Sequence, residues 1–293
     1  MQIRSESPLV TTGWLADSLE APGLRIVDAT WFLPGEAGDG WQSYLEAHLP
    51  GAVFFDIDAV SDPDSALPHM LPTEARFAEA AGSLGIDNDT TVVVYDARGL
   101  FSAARVWWMF RVFGHDDVAI LDGGLPKWRR EGRPLEQGEV TVEPRAFRAR
   151  ANPGLVRQRS ALLSDIGDPR VQIVDARSAG RFRGAEPEPR AGLAGGHIPG
   201  SINIPFTEFL DPDAGTLLPG EQLSRLFLNH GVDLHRPVVT TCGSGITAAI
   251  PYLAATLMGA GQVHLYDGSW SEWGDPALDL PVARGDGSRA GSQ

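Results

Sequence analysis

The chain of 293 residues repeats its own pattern once, and this repeat limits the folds that are open to it. Four short landmarks in the first half recur in the same order in the second half, at an offset of about 147 residues. They are residues 26–29 and 173–176, 48–52 and 197–201, 92–96 and 238–242, and 122–128 and 267–273. Two copies are too few for a solenoid, so the sequence predicts two similar domains.

Each copy alternates short β-branched runs with segments of helical periodicity. In the second copy the predicted buried strands are 171–174, 238–241 and 263–266, and the predicted helices are 160–166, 221–230 and 247–258. Strands that alternate with helices in this way favour a parallel sheet with helices on both faces. The predicted fold class is therefore α/β, with two tandem domains of the same kind.

The domain limits follow from composition. We expect a first domain over 1–140, a linker over 141–155, a second domain over 156–285 and a tail over 286–293. The linker region contains two prolines and several arginines, and the tail is rich in small residues.

Charge and cysteine content exclude several classes of protein. A net charge of -14 disfavours nucleic acid and anionic membranes as partners. No apolar run reaches the length of about 18 residues that suggests a transmembrane helix. Because the N-terminal residues lack an apolar signal core, we expect a cytoplasmic location. A single cysteine excludes an internal disulfide and a multi-cysteine metal site, and we expect neither a metal nor a cofactor.

The single cysteine, Cys242, follows the predicted strand 238–241 and opens a Gly-rich turn into a helix. Ligands of open α/β sheets bind beyond the carboxyl ends of the strands, and such a turn directs backbone N–H groups at an anion. The dipole of the following helix adds to this effect. These features favour a reactive thiolate over an inert, buried cysteine. Asp96 stands at the equivalent position of the first copy, which is predicted to be inactive.

A phosphatase also holds its cysteine in an anion-binding loop. Such loops usually end in an arginine about six residues after the cysteine, which grips the phosphate. Ala248 stands at that position, so the sequence disfavours phosphatase activity.

With these motifs the chain resembles the two-domain rhodanese family and, within it, the 3-mercaptopyruvate sulfurtransferases. The resemblance covers nearly the whole chain and implies that Cys242 carries sulfur as a persulfide. Its loop is similar to the Cys-Gly-Ser-Gly-Val/Ile-Thr loop of that branch, which implies substrate contacts from Gly243, Gly245, Ile246 and Thr247. Thiosulfate enzymes typically carry Cys-Arg-Lys-Gly-Val-Thr, and Gly243 and Ser244 replace both of those cations.

Two further motifs extend the resemblance. The segment 181–190 is similar to a substrate-binding segment of the family, which implies that Arg181 and Arg190 grip the carboxylate and ketone of mercaptopyruvate. Guanidinium groups suit such a ligand, although loop arginines are commonly only solvated. The resemblance also implies a Ser-His-Asp arrangement of Ser244, His69 and Asp58, in which the histidine shuttles a proton. The alternative is that His69 only holds a loop by a hydrogen bond.

The expected reaction moves sulfur from a 2-oxo thiol to an acceptor, which is a thiol such as thioredoxin, a small thiol, or cyanide. Two alternatives stay open: a thiosulfate:cyanide sulfurtransferase, and a non-catalytic sulfur-carrier or regulatory module. His48 and His197 recur in both copies, so we expect structural roles for them. The apolar run 107–110 is predicted to belong to the core.

Overall fold

The computed structural model describes residues 7–286, which form two compact units. The first unit contains the chain up to Asp64, Leu71–Asn152 and Leu210–Leu217. The second contains Ser65–Met70, Pro153–Phe209 and the chain from Leu218 onward. Each unit has one five-stranded sheet in which every pair of neighbouring strands is parallel.

The sheet of the first unit has the strand order β1-β5-β4-β2-β3. Its strands are β1 (Leu9–Val10), β2 (Leu24–Asp28), β3 (Val53–Phe54), β4 (Thr91–Tyr95) and β5 (Val118–Leu121). Its helices are α1 (Thr12–Ser18), α2 (Gly40–Glu46), α3 (Ile57–Val60), α4 (Glu74–Ser83), α5 (Ala103–Val112) and α6 (Gly124–Arg130). Strand β4 is buried along its whole length, as parallel sheets require. The predicted core run 107–110 lies in α5 and is buried.

The sheet of the second unit repeats this topology in the order β6-β10-β9-β7-β8. Its strands are β6 (Val156–Arg157), β7 (Gln172–Asp175), β8 (Ile202–Asn203), β9 (Val238–Thr241) and β10 (Val263–Tyr266). Its helices are α7 (Arg159–Asp165), α8 (Ala179–Arg183), α9 (Gly220–Asn229), α10 (Ala249–Leu257) and α11 (Ser269–Trp273), with 3-10 turns at Pro153–Leu155, Phe206–Phe209 and Pro276–Leu278. The matching strand orders confirm the predicted α/β class and the internal repeat.

Four elements of the second unit differ from the predicted bounds by one or two residues. Two of them are the helices Arg159–Asp165 and Gly220–Asn229, predicted at 160–166 and 221–230. The strand predicted at 171–174 is Gln172–Asp175, one residue later. The helix predicted from 247 begins at Ala249, because residues 243–248 form turns after the cysteine. The left-handed φ of 78° at Gly245 is part of this turn and requires glycine there.

The predicted linker is held against the first unit through Asn152. The N–H of Arg145 donates to the carbonyl of Gly82 at 2.9 Å, and that of Asn152 donates to Val112 at 2.7 Å. The ring of Phe147 is buried against Phe77 at a centroid distance of 5.9 Å. Backbone bonds and an apolar anchor fix this segment even though it has no helix or strand.

Two short segments group with the unit other than the one that sequence position predicts. Ser65–Met70 joins the second unit, where His69 contacts the loop of Cys242. Leu210–Leu217 joins the first, where the Leu217 N–H donates to the Asp122 carboxylate at 2.9 Å. Hydrogen bonds between residues distant in the sequence decide both placements, so composition gave no sign of them. The domain limits given above stay a prediction, and the tail beyond Asp286 lies outside the described residues.

No helix within the described residues is long and apolar enough to cross a membrane. The same part of the chain has no group of three or more His, Cys, Asp or Glu side chains able to hold a metal ion.

Candidate active site

Cys242 directly follows the last residue of β9, the middle strand of the second sheet. The residue is buried, with 1% of its surface exposed. Helix α10 begins at Ala249, so the loop 243–248 connects a buried strand to a buried helix. This edge of a parallel sheet is where α/β proteins bind ligands.

Three consecutive residues after β10 hold the backbone of this loop. The Ser269 hydroxyl accepts from the Cys242 N–H at 3.2 Å, and the Trp270 N–H donates to the Cys242 carbonyl at 3.0 Å. The N–H and the hydroxyl of Ser271 both donate to the Gly243 carbonyl at 2.8 Å. The position of the cysteine is therefore set by a second segment of the chain.

Sequence reasoning missed this anchor, although the repeat carried a signal for it. Ser269 adopts a left-handed φ of 47°, and Gly124, its equivalent in the first copy, has φ 49°. The left-handed backbone costs a serine more than a glycine, and such strain is usually kept because the side chain makes a specific contact. Here that contact is the bond to the Cys242 N–H.

Five backbone N–H groups of the loop 243–248 have no acceptor among the described residues. Within residues 7–286, those of Gly243, Ser244, Ile246, Thr247 and Ala248 donate to no protein atom. Because Ser244 and Ile246 are buried, water has little access to accept hydrogen bonds from their N–H groups. Unpaired N–H groups in a buried turn stabilise a neighbouring negative charge.

The equivalent loop of the first unit binds its own carboxylate. The Asp96 Oδ2 accepts from the N–H groups of Phe101 at 2.7 Å, Ser102 at 2.9 Å and Ala103 at 2.9 Å. The Oδ1 accepts from the Arg98 N–H at 2.8 Å. Asp96 is fully buried, so this loop already contains the anion that its amides stabilise.

Arg181, on helix α8, lies against the loop of Cys242. A Cβ atom on Gly243 would lie 2.7 Å from the Arg181 Nη2, so a side chain there would displace the guanidinium. The Nη2 donates to the Glu188 Oε2 at 2.5 Å and the Nε to the same oxygen at 3.1 Å. Arg181 is therefore held beside the loop by a carboxylate that sequence reasoning did not consider.

Glu188 joins Arg181 to a buried ion pair. Its Oε1 accepts from the Arg177 Nη1 at 2.7 Å, and the Arg177 Nη2 donates to the Asp175 Oδ2 at 2.6 Å. Although burial opposes the charge of Arg177, the Asp175 and Glu188 carboxylates raise its pKa above the usual value. The guanidinium also lies 4.1 Å from the ring centroid of Trp270, which anchors Cys242.

Arg190 lies at a different place in the same unit. It lines a cavity of about 410 Å³ together with Glu188 and Arg284, and Cys242 is not part of its wall. The structure thus brings Arg181 to the cysteine loop and Arg190 to the cavity, and Glu188 contacts Arg181 and lines the cavity.

His69 and Ser244 meet through the backbone of the serine. The His69 Nδ1 lies 3.2 Å from the Ser244 carbonyl oxygen, and both residues are buried. Because a carbonyl only accepts, this contact assigns the hydrogen to Nδ1 and leaves Nε2 as the basic nitrogen. His69 has a left-handed φ of 62°, which is costly for a residue with a side chain.

Asp58, the third member of the predicted trio, lies in helix α3 of the first unit. Its Oδ2 accepts from the indole N–H of Trp31 at 3.0 Å.

The two recurrent histidines occupy matching positions. The His48 Nδ1 lies 2.8 Å from the Tyr44 carbonyl, and the His197 Nδ1 lies 2.8 Å from the Phe182 carbonyl. Each ring stacks on the aromatic side chain of the same partner and is fully buried. These contacts agree with structural roles in both copies.

A family model for the rhodanese-like domain matches residues 11–131 and 158–275. The chain belongs to the rhodanese family. The two matched segments contain four of the five strands of each sheet, and the second segment contains Cys242.

Relatives within the rhodanese family carry two kinds of name. The chain is 48% identical over 271 residues to 3-mercaptopyruvate sulfurtransferase from Homo sapiens, which covers 90% of this chain and 91% of the relative. It is 47% identical over 290 residues to thiosulfate sulfurtransferase from Bos taurus, which covers 96% and 97%. A crystal structure of a 3-mercaptopyruvate sulfotransferase from Escherichia coli matches with a TM-score of 0.83 and 42% identity, over 90% of this chain and 99% of that one.

Proposed function

We propose that this rhodanese protein is a sulfurtransferase that takes sulfur from 3-mercaptopyruvate, holds it as a persulfide on Cys242 and passes it to a thiol or to cyanide. The observation that carries the proposal is the set of five loop N–H groups that have no acceptor among residues 7–286, in the loop that follows the only cysteine of the chain. A persulfide is an anion, and this loop supplies donors for it.

In the first step the Cys242 thiolate attacks the sulfur of mercaptopyruvate. A sulfur–sulfur bond forms, the carbon–sulfur bond breaks, and its electron pair leaves as the enolate of pyruvate. The enolate takes a proton, which gives pyruvate and leaves the persulfide on the enzyme. The negative charge moves from the Cys242 sulfur to the departing enolate during this step. The loop N–H donors act before the step, by favouring the thiolate that attacks, and after it, by stabilising the persulfide anion.

In the second step an acceptor attacks the outer sulfur. A thiolate acceptor forms a new persulfide and cyanide forms thiocyanate, and in both cases the Cys242 thiolate is regenerated. Splitting the transfer into two displacements predicts ping-pong kinetics. Thioredoxin, a small thiol and cyanide are the acceptors that we propose for this step.

The choice of donor rests on the loop, because overall identity does not separate the two kinds of relative. Thiosulfate is a doubly charged inorganic anion that suits cations within the loop itself. Gly243 and Ser244 carry no charge, and Gly243 leaves room for the Arg181 guanidinium. A single guanidinium at the edge of the loop suits the carboxylate of a 2-oxo acid.

The roles of the other residues complete the proposal. Arg181, and Arg190 from the cavity wall, bind the carboxylate and ketone of the donor. Gly243, Gly245, Ile246 and Thr247 contact it through the loop. The basic Nε2 of His69 moves the proton that the enolate takes.

In that proton transfer Ser244 and Asp58 are the proposed partners of His69. The support for this trio is the contact between His69 and the Ser244 carbonyl.

A cytoplasmic location is also part of the proposal. One relative, from Arabidopsis thaliana, is named as mitochondrial.

The test of the donor is a comparison of kcat/KM for 3-mercaptopyruvate and thiosulfate, each with cyanide as acceptor. We expect mercaptopyruvate to be preferred by at least about tenfold, which corresponds to one charge-assisted contact. A preference for thiosulfate would overturn the donor and leave the persulfide chemistry intact. No turnover and no bound sulfur with either donor would favour a non-catalytic module.

A further inference from the structure

We propose that Glu188 is a positioning residue that holds the Arg181 guanidinium against the Cys242 loop. The inference deepens the proposed function, since it rests on Arg181 as the cation that binds the donor. Glu188 would act on the donor only through the position of Arg181.

The burial of Glu188 is the first argument. Only 2% of the Glu188 side chain is exposed, whereas Glu186, two residues earlier, is exposed. A carboxylate is removed from water at a considerable cost unless it is paired and hydrogen-bonded. Glu188 meets this cost with two guanidinium partners.

The geometry gives the second argument. The two carboxylate oxygens are divided between the arginines, with Oε1 on Arg177 and Oε2 on Arg181. Arg177 is fully buried and also bound to Asp175, so it is a fixed point. Glu188 therefore transmits the position of a rigid ion pair to the partly exposed Arg181.

The close approach of Arg181 to the loop gives the third argument. Its Nη2, the atom that Glu188 grips, is also the atom nearest to the position of a Cβ on Gly243, at 2.7 Å. An arginine side chain has several rotatable bonds and loses considerable entropy when it is held in one position. Without Glu188 the guanidinium would spend less time beside Cys242.

Position and charge make opposite predictions, and this contrast makes the proposal testable. If Glu188 acted only as a negative charge, its removal would make the site more attractive to anions. If it acts by position, its removal would make the site less attractive. Glu188→Asp keeps the charge but is one methylene too short to span both arginines, whereas Glu188→Gln keeps the length and loses the charge.

The readout is the rate of alkylation of Cys242 by iodoacetate, an anion, divided by the rate with neutral iodoacetamide. Both reagents attack the same sulfur, so the ratio reports the cation beside it and cancels changes in access. We expect Glu188→Asp to lower the ratio about fivefold and Glu188→Gln to lower it less. Glu186→Asp and Glu186→Gln are matched controls at an exposed position and should leave the ratio unchanged.

Arg181→Ala identifies the residue through which Glu188 acts. It should lower the ratio by itself, and adding Glu188→Asp to it should have no further effect, because the position of the arginine no longer matters. With mercaptopyruvate as donor, Glu188→Asp should raise KM about tenfold and change kcat by less than about twofold.

Three results would overturn the proposal: a wild-type ratio in Glu188→Asp, a higher ratio in Glu188→Gln, or an undiminished effect of Glu188→Asp in the Arg181→Ala background. Alkylation needs no sulfur donor. A failure of the proposed function would therefore appear as absent turnover with the alkylation ratios intact.

Discussion

The loops of Asp96 and Cys242 stand at the same position of two copies of one fold. Each follows the middle strand of its sheet, and each is held by the same backbone bond. The Leu125 N–H donates to the Asp96 carbonyl at 3.0 Å, and the Trp270 N–H donates to the Cys242 carbonyl at 3.0 Å. What differs is the side chain that the loop surrounds.

In the first copy the loop amides bind the Asp96 carboxylate, and four N–H groups are paired with it. In the second copy five N–H groups of the loop have no acceptor among residues 7–286. The fold thus provides an anion-binding loop twice. A carboxylate makes that loop a structural element, whereas a cysteine leaves its donors available for a sulfur anion.

A second difference lies on the neighbouring strands. Asp175, at the end of β7, is paired with Arg177. Its equivalent, Asp28, has Thr30 in place of that arginine, and the Thr30 N–H donates to it at 2.9 Å. Burial raises the pKa of Asp28 to about 6, despite hydrogen bonds from Thr30 and Tyr95. The equivalent carboxylates thus differ in surroundings: Asp175 is paired with an arginine, whereas burial raises the pKa of Asp28.

The largest effects on stability are expected from replacing Asp175 or Asp28 with asparagine. Asp175→Asn should lower the free energy of unfolding by about 3 kcal/mol, because it breaks a buried ion pair. Asp28→Asn should raise it by about 1–3 kcal/mol at pH 8, because it removes a buried charge. Urea unfolding followed by tryptophan fluorescence measures both. The same sign for the two variants would contradict the comparison.

The pH dependence of Asp28 sharpens this test. Its folded-state pKa lies above the ordinary value of 3.8, so the folded protein keeps a proton that the unfolded chain releases. The stabilisation is full below about pH 4 and is lost as the pH rises through 6. The free energy of unfolding of Asp28→Asn should therefore rise relative to that of the wild type as the pH rises from 4 to 8. A difference between the two proteins that stays constant with pH would show that Asp28 does not titrate in this range.

The next effect concerns the carboxylate of the first loop. Asp96→Ala removes the acceptor of four N–H groups, three of them on buried residues, and should lower the free energy of unfolding by about 2–3 kcal/mol. Asp96→Asn keeps one acceptor oxygen and should cost about half as much. The kcat of both folded variants should stay within about twofold of wild type, because the first loop takes no part in the chemistry. A loss of turnover in folded Asp96→Asn would show that it does.

The smallest effect is expected at the anchor of the cysteine. Ser269→Gly gives the second copy the residue of the first, Gly124. It relieves the left-handed backbone but removes the acceptor of the Cys242 N–H. Stability should therefore change by less than about 0.5 kcal/mol while kcat/KM falls about fivefold. Ser269→Ala keeps the strained φ and should lose stability as well, and equal stability losses in the two variants would disprove the role of strain.

Much of the fold could be predicted because buried parallel strands are apolar runs bounded by polar residues. The strands 238–241 and 263–266 have the predicted bounds. The repeat shows the equivalence of Asp96 and Cys242, on which the prediction of an inactive first copy rests. These features are local, or are visible by comparing the halves.

The rest depended on contacts between residues far apart in the chain. The burial of Glu188 follows from its two arginine partners, and one of these is eleven residues away. The placement of His69 follows from a hydrogen bond that spans 175 residues. No periodicity or composition reports such contacts, so the residues that position the site were the ones that sequence reasoning missed.

The central claim is that Cys242 accepts the sulfur atom and that the Asp96 loop takes no part in this transfer. The direct measurement is the intact mass of the protein after incubation with 3-mercaptopyruvate, followed by mapping of the modified peptide. Wild type and Asp96→Asn should each gain one sulfur atom on Cys242, and Cys242→Ser should gain none. A gain of sulfur in Cys242→Ser, or its absence in the wild type, would contradict the account.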